Sequence, residues 1–236
     1  MTNKYSDIIN KLKGPTPYSH TTSRCFVARS HLEWLGEYVE NIGNAKMVEC
    51  GVAKGGCVAF CHKVNPDLRI MALDSWDIIP EEVTSNDNAH CHRYVGTKWG
   101  DVLDIKKTYD LVDASMDNLT MIKGYFEDTI PKSMDILGDI DILRLDADYY
   151  EPTIFCLETL YDSVKSGGLI ILDDWHFNPK GVQGAVYDFL VSRKEAITIF
   201  SHKLDSCCIN KKFGHSVVKK LCNSGNGKGP AYFVKP

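Results

Sequence analysis

Seven short apolar runs punctuate the chain, at residues 46–50, 70–74, 121–124, 140–146, 169–173, 197–200 and 231–234. Each is of strand length and too short for a helix of its own. Helical periodicity fills the intervals at 55–63, 101–115, 126–133, 151–165 and 181–194. A strand reaches a parallel neighbour only through a crossover, so repeated strand–helix alternation calls for parallel pairing. The expected class is α/β, a mostly parallel seven-stranded sheet with helices on both faces. Sheets of this kind take ligands outside the carboxyl ends of their strands.

The chain has 236 residues, enough for one large domain or two small ones. Its 27 basic against 31 acidic residues give a net charge of −4. Nucleic acid and anionic membranes favour basic surfaces, so neither is an expected partner. No apolar run approaches the length of a membrane span and the first residues lack the core of a signal peptide, which places the expected location in the cytoplasm. The nine cysteines lack CxxC spacing, and several lie within apolar runs, as Cys50 and Cys156 do. Reduced, mostly buried thiols fit that pattern better than a disulfide scaffold. The neighbours His90-Cys91-His92 and the pair Cys57 and Cys61 invite a zinc reading, but adjacent residues seldom converge on one tetrahedral ion.

Three constellations carry chemistry. Glu49-Cys50-Gly51-Val52-Ala53-Lys54-Gly55-Gly56 is a strand end, a glycine turn and a helix start. Its spacing is neither the dinucleotide fingerprint nor a phosphate-binding loop. An acidic strand end beside such a turn suits a ligand with an ammonium group and no phosphate, of which S-adenosylmethionine is the common one; a plain strand–helix turn is the structural alternative. Met71-Ala72-Leu73-Asp74-Ser75-Trp76 ends the next strand in a carboxylate able to accept ribose hydroxyls, or else to cap a helix. Finally, Asp146 and Asp148 end one apolar run and Asp173 and Asp174 end another. Four carboxylates side by side repel unless a cation joins them, and oxygen ligands suit Mg²⁺ or another hard divalent ion. Capping of a following turn accounts for one of the four.

Taken together, the glycine turn, Asp74-Ser75-Trp76, the run Lys123-Gly124-Tyr125-Phe126-Glu127-Asp128-Thr129-Ile130-Pro131, Leu143-Arg144-Leu145-Asp146-Ala147-Asp148 and Asp173-Asp174 resemble the macrocin O-methyltransferase family, metal-dependent sugar O-methyltransferases. The resemblance spans roughly residues 25–235 and implies a Rossmann-like class I methyltransferase. It implies a cofactor site of Glu49, Gly51, Gly55, Gly56, Asp74, Ser75, Gly124 and Asp146, with Mg²⁺ held by Asp146, Asp173 and Asp174. Asp148 is the implied general base. On this reading residues 1–236 form one domain: a helical lid segment at 1–44, a core at 45–236 and an active-site loop at 78–100. The acceptor is a small-molecule hydroxyl, expected on a sugar, and the assembly a homo-oligomer. His90, His92 and His176 are further candidate bases, with solvent-exposed loop positions as the alternative. Ala147, Pro152 and the stretch His176-Phe177-Asn178 depart from the family pattern around the acceptor side. Rival readings are a catechol-type O-methyltransferase, an Asp-x-Asp glycosyltransferase using nucleotide sugars, and a non-catalytic cofactor binder.

Overall fold

The structure is a computed structural model that describes residues 4–14, 23–80, 85–195, 197–201 and 230–236. Strands β1 (Lys46–Cys50), β2 (Arg69–Asp74), β3 (Leu119–Lys123), β4 (Ile140–Leu145) and β5 (Val164–Leu172) pair in parallel, with β1 between β2 and β4. Strand β6 (Phe200–Ser201) is only two residues long, and β7 (Ala231–Val234) runs antiparallel between β5 and β6. The order is β3-β2-β1-β4-β5-β7-β6, so the expected seven strands appear as six full ones and a two-residue edge. Chain direction across the sheet reverses between β1 and β4, the switch point where open α/β sheets bind ligands.

Helices α1 (Ser6–Lys13), α2 (Arg29–Glu40), α3 (Gly56–Val64) and α4 (Val102–Val112) cover one face. Helices α5 (Phe126–Leu137), α6 (Tyr150–Leu160) and α7 (Gly184–Arg193) cover the other. Central strands are buried on both faces and their side chains alternate. Met47, Ile142 and Ile171 thus join the α1–α4 core, while Val48, Leu143, Leu145 and Ile170 join the α5–α7 core. Among the described residues no helix is long and apolar enough to cross a membrane.

Three boundaries differ from the sequence reading. The apolar positions Phe26, Val27, Leu32, Leu35 and Val39 suggest an amphipathic helix from about Cys25 to Ile42, but it begins at Arg29, and residues 24–27 instead pass beside the glycine turn. A Cβ on Gly56 would stand 2.3 Å from Cys25 Cβ, so only glycine admits that crossing. The helix expected over 151–165 ends at Leu160, and β5 starts five residues earlier than expected, with Val164 paired to Ile140. The helix expected from 181 is preceded by a π-turn (Pro179–Gln183), a form often found beside functional sites.

Candidate active site

The carboxyl ends of β1, β2, β4 and β5 share one edge of the sheet. At β1 the chain turns through Gly51, whose φ of +90° lies in the left-handed region and whose missing side chain would collide with the Asp146 carbonyl at 1.8 Å. Asp74, at the end of β2, accepts from the Val52 and Ala53 amides at 2.7 and 2.8 Å through Oδ2, and from the Trp76 amide at 2.7 Å through Oδ1. Three of a carboxylate's roughly four lone-pair sites thus shape the glycine turn itself. Trp76 closes the arrangement, its indole Nε1 donating to the Ala53 carbonyl at 2.9 Å. Ser75 is half-buried beside Asp74. Gly124 follows β3 at φ +141°, its amide donating to the Asp74 carbonyl at 3.0 Å.

A small open pocket of about 30 Å³ lies beside this turn. Glu49, Gly56, Cys57 and Asp146 are among its walls, and residues 24–27 cross it as a roof. Glu49 is 1% exposed, and its Oε2 has no hydrogen-bond partner. Burial pushes its carboxyl up, against the pull of the nearby Arg144 charge. An unpartnered buried acceptor beside a cavity is a ready seat for a ligand cation.

Arg144 was quoted only as part of a motif, yet it organises the edge. Strand register sets it opposite Glu49, and it is fully buried. Its guanidinium meets Glu49 Oε1 at 2.9 Å, Asp146 Oδ2 at 2.9 Å and Asp173 Oδ1 at 2.8 Å. A signal for this was present in the sequence: a guanidinium inside the apolar run Ile140-Asp141-Ile142-Leu143-Arg144-Leu145 must find carboxylates when buried.

Of the four aspartates at the strand ends, the structure brings three to one corner. Asp146, Asp148 and Asp174 each offer an oxygen, all within 4.8 Å of one another. Asp173 instead turns its Oδ1 to Arg144. Burial, then the Asp146 charge, pushes the Asp148 carboxyl up to about 7. Burial, with Asp173 and then Asp174, likewise raises Asp146, and burial with Asp148 and Asp173 raises Asp174. Asp174 Oδ2 is buried without a hydrogen-bond partner. Asp148 takes φ +62°, a left-handed position that bends the chain after the strand and that an aspartate tolerates better than most residues. Oxygen-only donors, mutual repulsion and an orphaned oxygen are the features a hard divalent cation would satisfy.

Asn178, in the atypical stretch after β5, is a second residue missed from sequence. It is fully buried and uses all four of its side-chain positions. Its Nδ2 donates to Asp87 Oδ1 at 2.6 Å and to the Asp148 carbonyl at 2.9 Å. Its Oδ1 accepts from the Asn88 and Gly181 amides at 3.0 and 3.1 Å. Asp87 also accepts from the Tyr150 amide at 2.9 Å, so the loop carrying Asp87 is tied to the Asp148 turn. His90 and His92 are exposed while Cys91 between them is buried, and His176 is half-buried with its imidazole value lowered by burial. Cys25, Cys50, Cys57, Cys61, Cys91 and Cys156 are free and buried; Cys207, Cys208 and Cys222 lie outside the described residues. The carboxylate corner is the one metal-competent group among the described residues, and neither the histidine triplet nor the Cys57–Cys61 pair contributes to it.

Residues 21–210 match the macrocin-O-methyltransferase (TylF) family. The chain belongs to that family. It is 31% identical over 166 residues to the demethyldecarbamoylnovobiocin O-methyltransferase of Streptomyces niveus, covering 63% of this chain and 61% of that one. It is 28% identical over 153 residues to the 8-demethyl-8-(2,3-dimethoxy-alpha-L-rhamnosyl)-tetracenomycin-C 4'-O-methyltransferase of Streptomyces olivaceus, covering 61% of this chain and 57% of that one. The matched region is thus about three fifths of these relatives' own length. The solved O-methyltransferase NovP superposes with a TM-score of 0.72 at 20% identity, covering 97% of this chain and 96% of that one, a likeness of fold.

Proposed function

We propose that this chain transfers the methyl group of S-adenosylmethionine to a hydroxyl of a sugar or glycosylated small molecule, with Mg²⁺ or a similar hard divalent cation bound beside it. The observation that carries the reading is the double position of Asp146. It lines the cavity over the glycine turn, and it also belongs to the corner with Asp148 and Asp174. A ligand in that cavity and a cation in that corner would be neighbours.

The chemistry of the pocket wall suits the cofactor. Glu49 Oε2, orphaned at its wall, is placed to accept from an α-ammonium group, and Gly56 leaves room where a side chain would block the roof. The lone-pair capacity left on Asp74 suffices for one ribose hydroxyl, with Ser75 alongside. Gly51, Gly55 and Gly124 allow the close backbone approach. Residues 24–27, from the expected lid segment, would shield a bound cofactor from water, and residues 85–100 are available to the acceptor side. When bound, the sulfonium supplies an activated methyl group and the cation supplies Lewis acidity and a template for vicinal hydroxyls. Asp146 and Asp174 are common to the expected metal set and to the corner, and they would hold the cation. Asp173, fixed by Arg144, keeps Oδ2 on the same edge. Asp148 accepts the acceptor's hydroxyl proton at a carboxylate oxygen. Asn178 fixes the turn that carries this carboxylate through the Asp148 backbone carbonyl.

Calorimetric titration with S-adenosylhomocysteine, with and without MgCl₂, followed by a methyl-transfer assay on glycosides and catechols, tests the reading. Binding of the product cofactor and Mg²⁺-stimulated methylation of a glycoside are expected. Methylation of catechols alone would overturn the sugar assignment, and binding of a UDP-sugar without S-adenosylhomocysteine would overturn the methyltransferase assignment.

A further inference from the structure

The carboxylate corner accounts for hydroxyl chemistry but leaves open what holds the rest of an acceptor. Four aromatic rings from three separate segments answer that. Phe26 comes from the roof and also lines the cofactor cavity. Tyr94 and Trp99 come from the loop at 78–100, and Phe177 follows Asp174 by three residues. Their rings contact in series: Phe26–Trp99 at 5.4 Å, Trp99–Tyr94 at 5.3 Å and Tyr94–Phe177 at 5.8 Å. Every member of the series is only half-buried, although Lys54 lies over the Phe26 ring, Arg93 over the Tyr94 ring and His90 edge-on to Phe177. The series begins at the cavity wall and ends on the segment that leaves the carboxylate corner, where the Phe177 amide donates to the Asp174 carbonyl at 3.0 Å one turn further on.

Rings from three segments distant in sequence thus form one continuous, partly exposed aromatic surface. The convergence is also held rigid. Asn178, next to Phe177, binds Asp87 and Asn88 at the base of the loop that carries Tyr94. This clamp and Phe177 both fall in His176-Phe177-Asn178, where the chain departs from the family pattern around the acceptor. Apolar, aromatic surface beside a few converging polar groups is the usual make-up of a small-molecule site.

We propose that Phe26, Trp99, Tyr94 and Phe177 form the acceptor wall, against which the C–H face of a pyranose lies while its hydroxyls reach Asp146, Asp148 and Asp174. Phe177, nearest the corner, is the specificity-determining ring. The proposal rests on the methyltransferase reading for its choice of ligand, and it is tested by binding alone so that the two can fail separately.

The experiment is saturation-transfer NMR, irradiating the protein's aromatic protons and observing methyl α-L-rhamnopyranoside, in the presence of S-adenosylhomocysteine and MgCl₂. Saturation of the pyranose ring protons is expected in the wild type. In Phe177→Ala the apparent Kd should rise roughly threefold to tenfold, with unchanged affinity for S-adenosylhomocysteine. Phe177→Leu, which keeps apolar volume, guards against unfolding and should show the same loss, while Phe177→Tyr should restore binding. No saturation in the wild type, equal binding in both ring-deleted variants, or a parallel loss of S-adenosylhomocysteine affinity would each overturn the wall. Saturation of catechol but not of the pyranoside would overturn the sugar as its occupant. A wall that binds the pyranoside in a protein that transfers no methyl group would uphold this proposal and sink the catalytic one.

Discussion

Two carboxylate clusters meet at the sheet edge and share Asp146, yet they are built on opposite principles. On the inner side Glu49, Asp146 and Asp173 surround the fully buried Arg144, so the chain supplies its own counter-charge. On the outer side Asp148 and Asp174 face the shared Asp146, and among the described residues Arg144 pairs with Asp146 alone of the three; each of the three carboxyls is pushed upward. A cluster gathered around a buried cation holds a fold together. An uncompensated one stores repulsion that a bound cation would relieve. Acidic composition alone does not separate the two; the placement of a single arginine does.

The largest effect should come from taking the counter-charge out of the inner cluster. Arg144→Met leaves buried carboxylates without a partner, at a cost of roughly 3–5 kcal/mol. For a chain of this size each kcal/mol lowers the melting temperature by about 2–4 °C, so thermal unfolding should shift by roughly 6–20 °C. A shift of only a degree or two would mean that the inner cluster is not held by its arginine.

Next in size is catalysis at the outer cluster. Asp148→Asn removes the proton acceptor and should lower turnover roughly 10²–10⁴-fold, with affinity for S-adenosylhomocysteine unchanged. Turnover within a factor of three of wild type would remove Asp148 from the chemistry. A smaller effect, of opposite sign to that at Arg144, is expected from Asp174→Asn. Neutralising one member of a repelling corner should leave the metal-free melting temperature equal or higher, while the rise that Mg²⁺ confers on the wild type disappears. Should the variant melt well below the wild type without metal, the outer cluster would be structural too and the contrast would fail.

The smallest effect sets the background. His62 on α3 is buried, with Nε2 at 2.8 Å from the Leu68 carbonyl and Nδ1 at 2.7 Å from the Tyr109 hydroxyl. Burial lowers its value from the ordinary histidine range, so the folded protein binds a proton less readily than the unfolded chain. Its contribution is fully present above a pH of about 6.5 and is lost as pH falls below that. Acidification should therefore lower the melting temperature more, or raise it less, in the wild type than in His62→Gln. Identical slopes would show that His62 does not contribute.

How much could be read from sequence differs between these regions for a definite reason. The strands, the glycine turn and the aspartates at strand ends were legible because each is written in local pattern: apolar runs, φ-permissive glycines and carboxylates where the runs stop. The division of the aspartates was not. Asp173 and Asp174 are neighbours, yet one turns to Arg144 and the other to the outer corner. Asp74 was read as a ribose acceptor, whereas most of its oxygens' capacity is taken by the Val52, Ala53 and Trp76 amides, contacts that follow from how β1 and β2 pair. Asn178 belongs to no pattern at all. Its value lies in partners about 30 and 90 residues away in the chain.

By itself, then, the sequence determined the α/β class, the order of the motifs and the edge at which they gather, since these depend on periodicity and on the crossovers parallel strands require. The tertiary structure decided which carboxylates are neutralised and which stay exposed to a cation, because that depends on the register that sets Arg144 across from Glu49. It also decided that rings from residues 26, 94, 99 and 177 share a surface. Charge compensation and aromatic contact act through space over a few ångströms, and separation along the chain does not encode that distance.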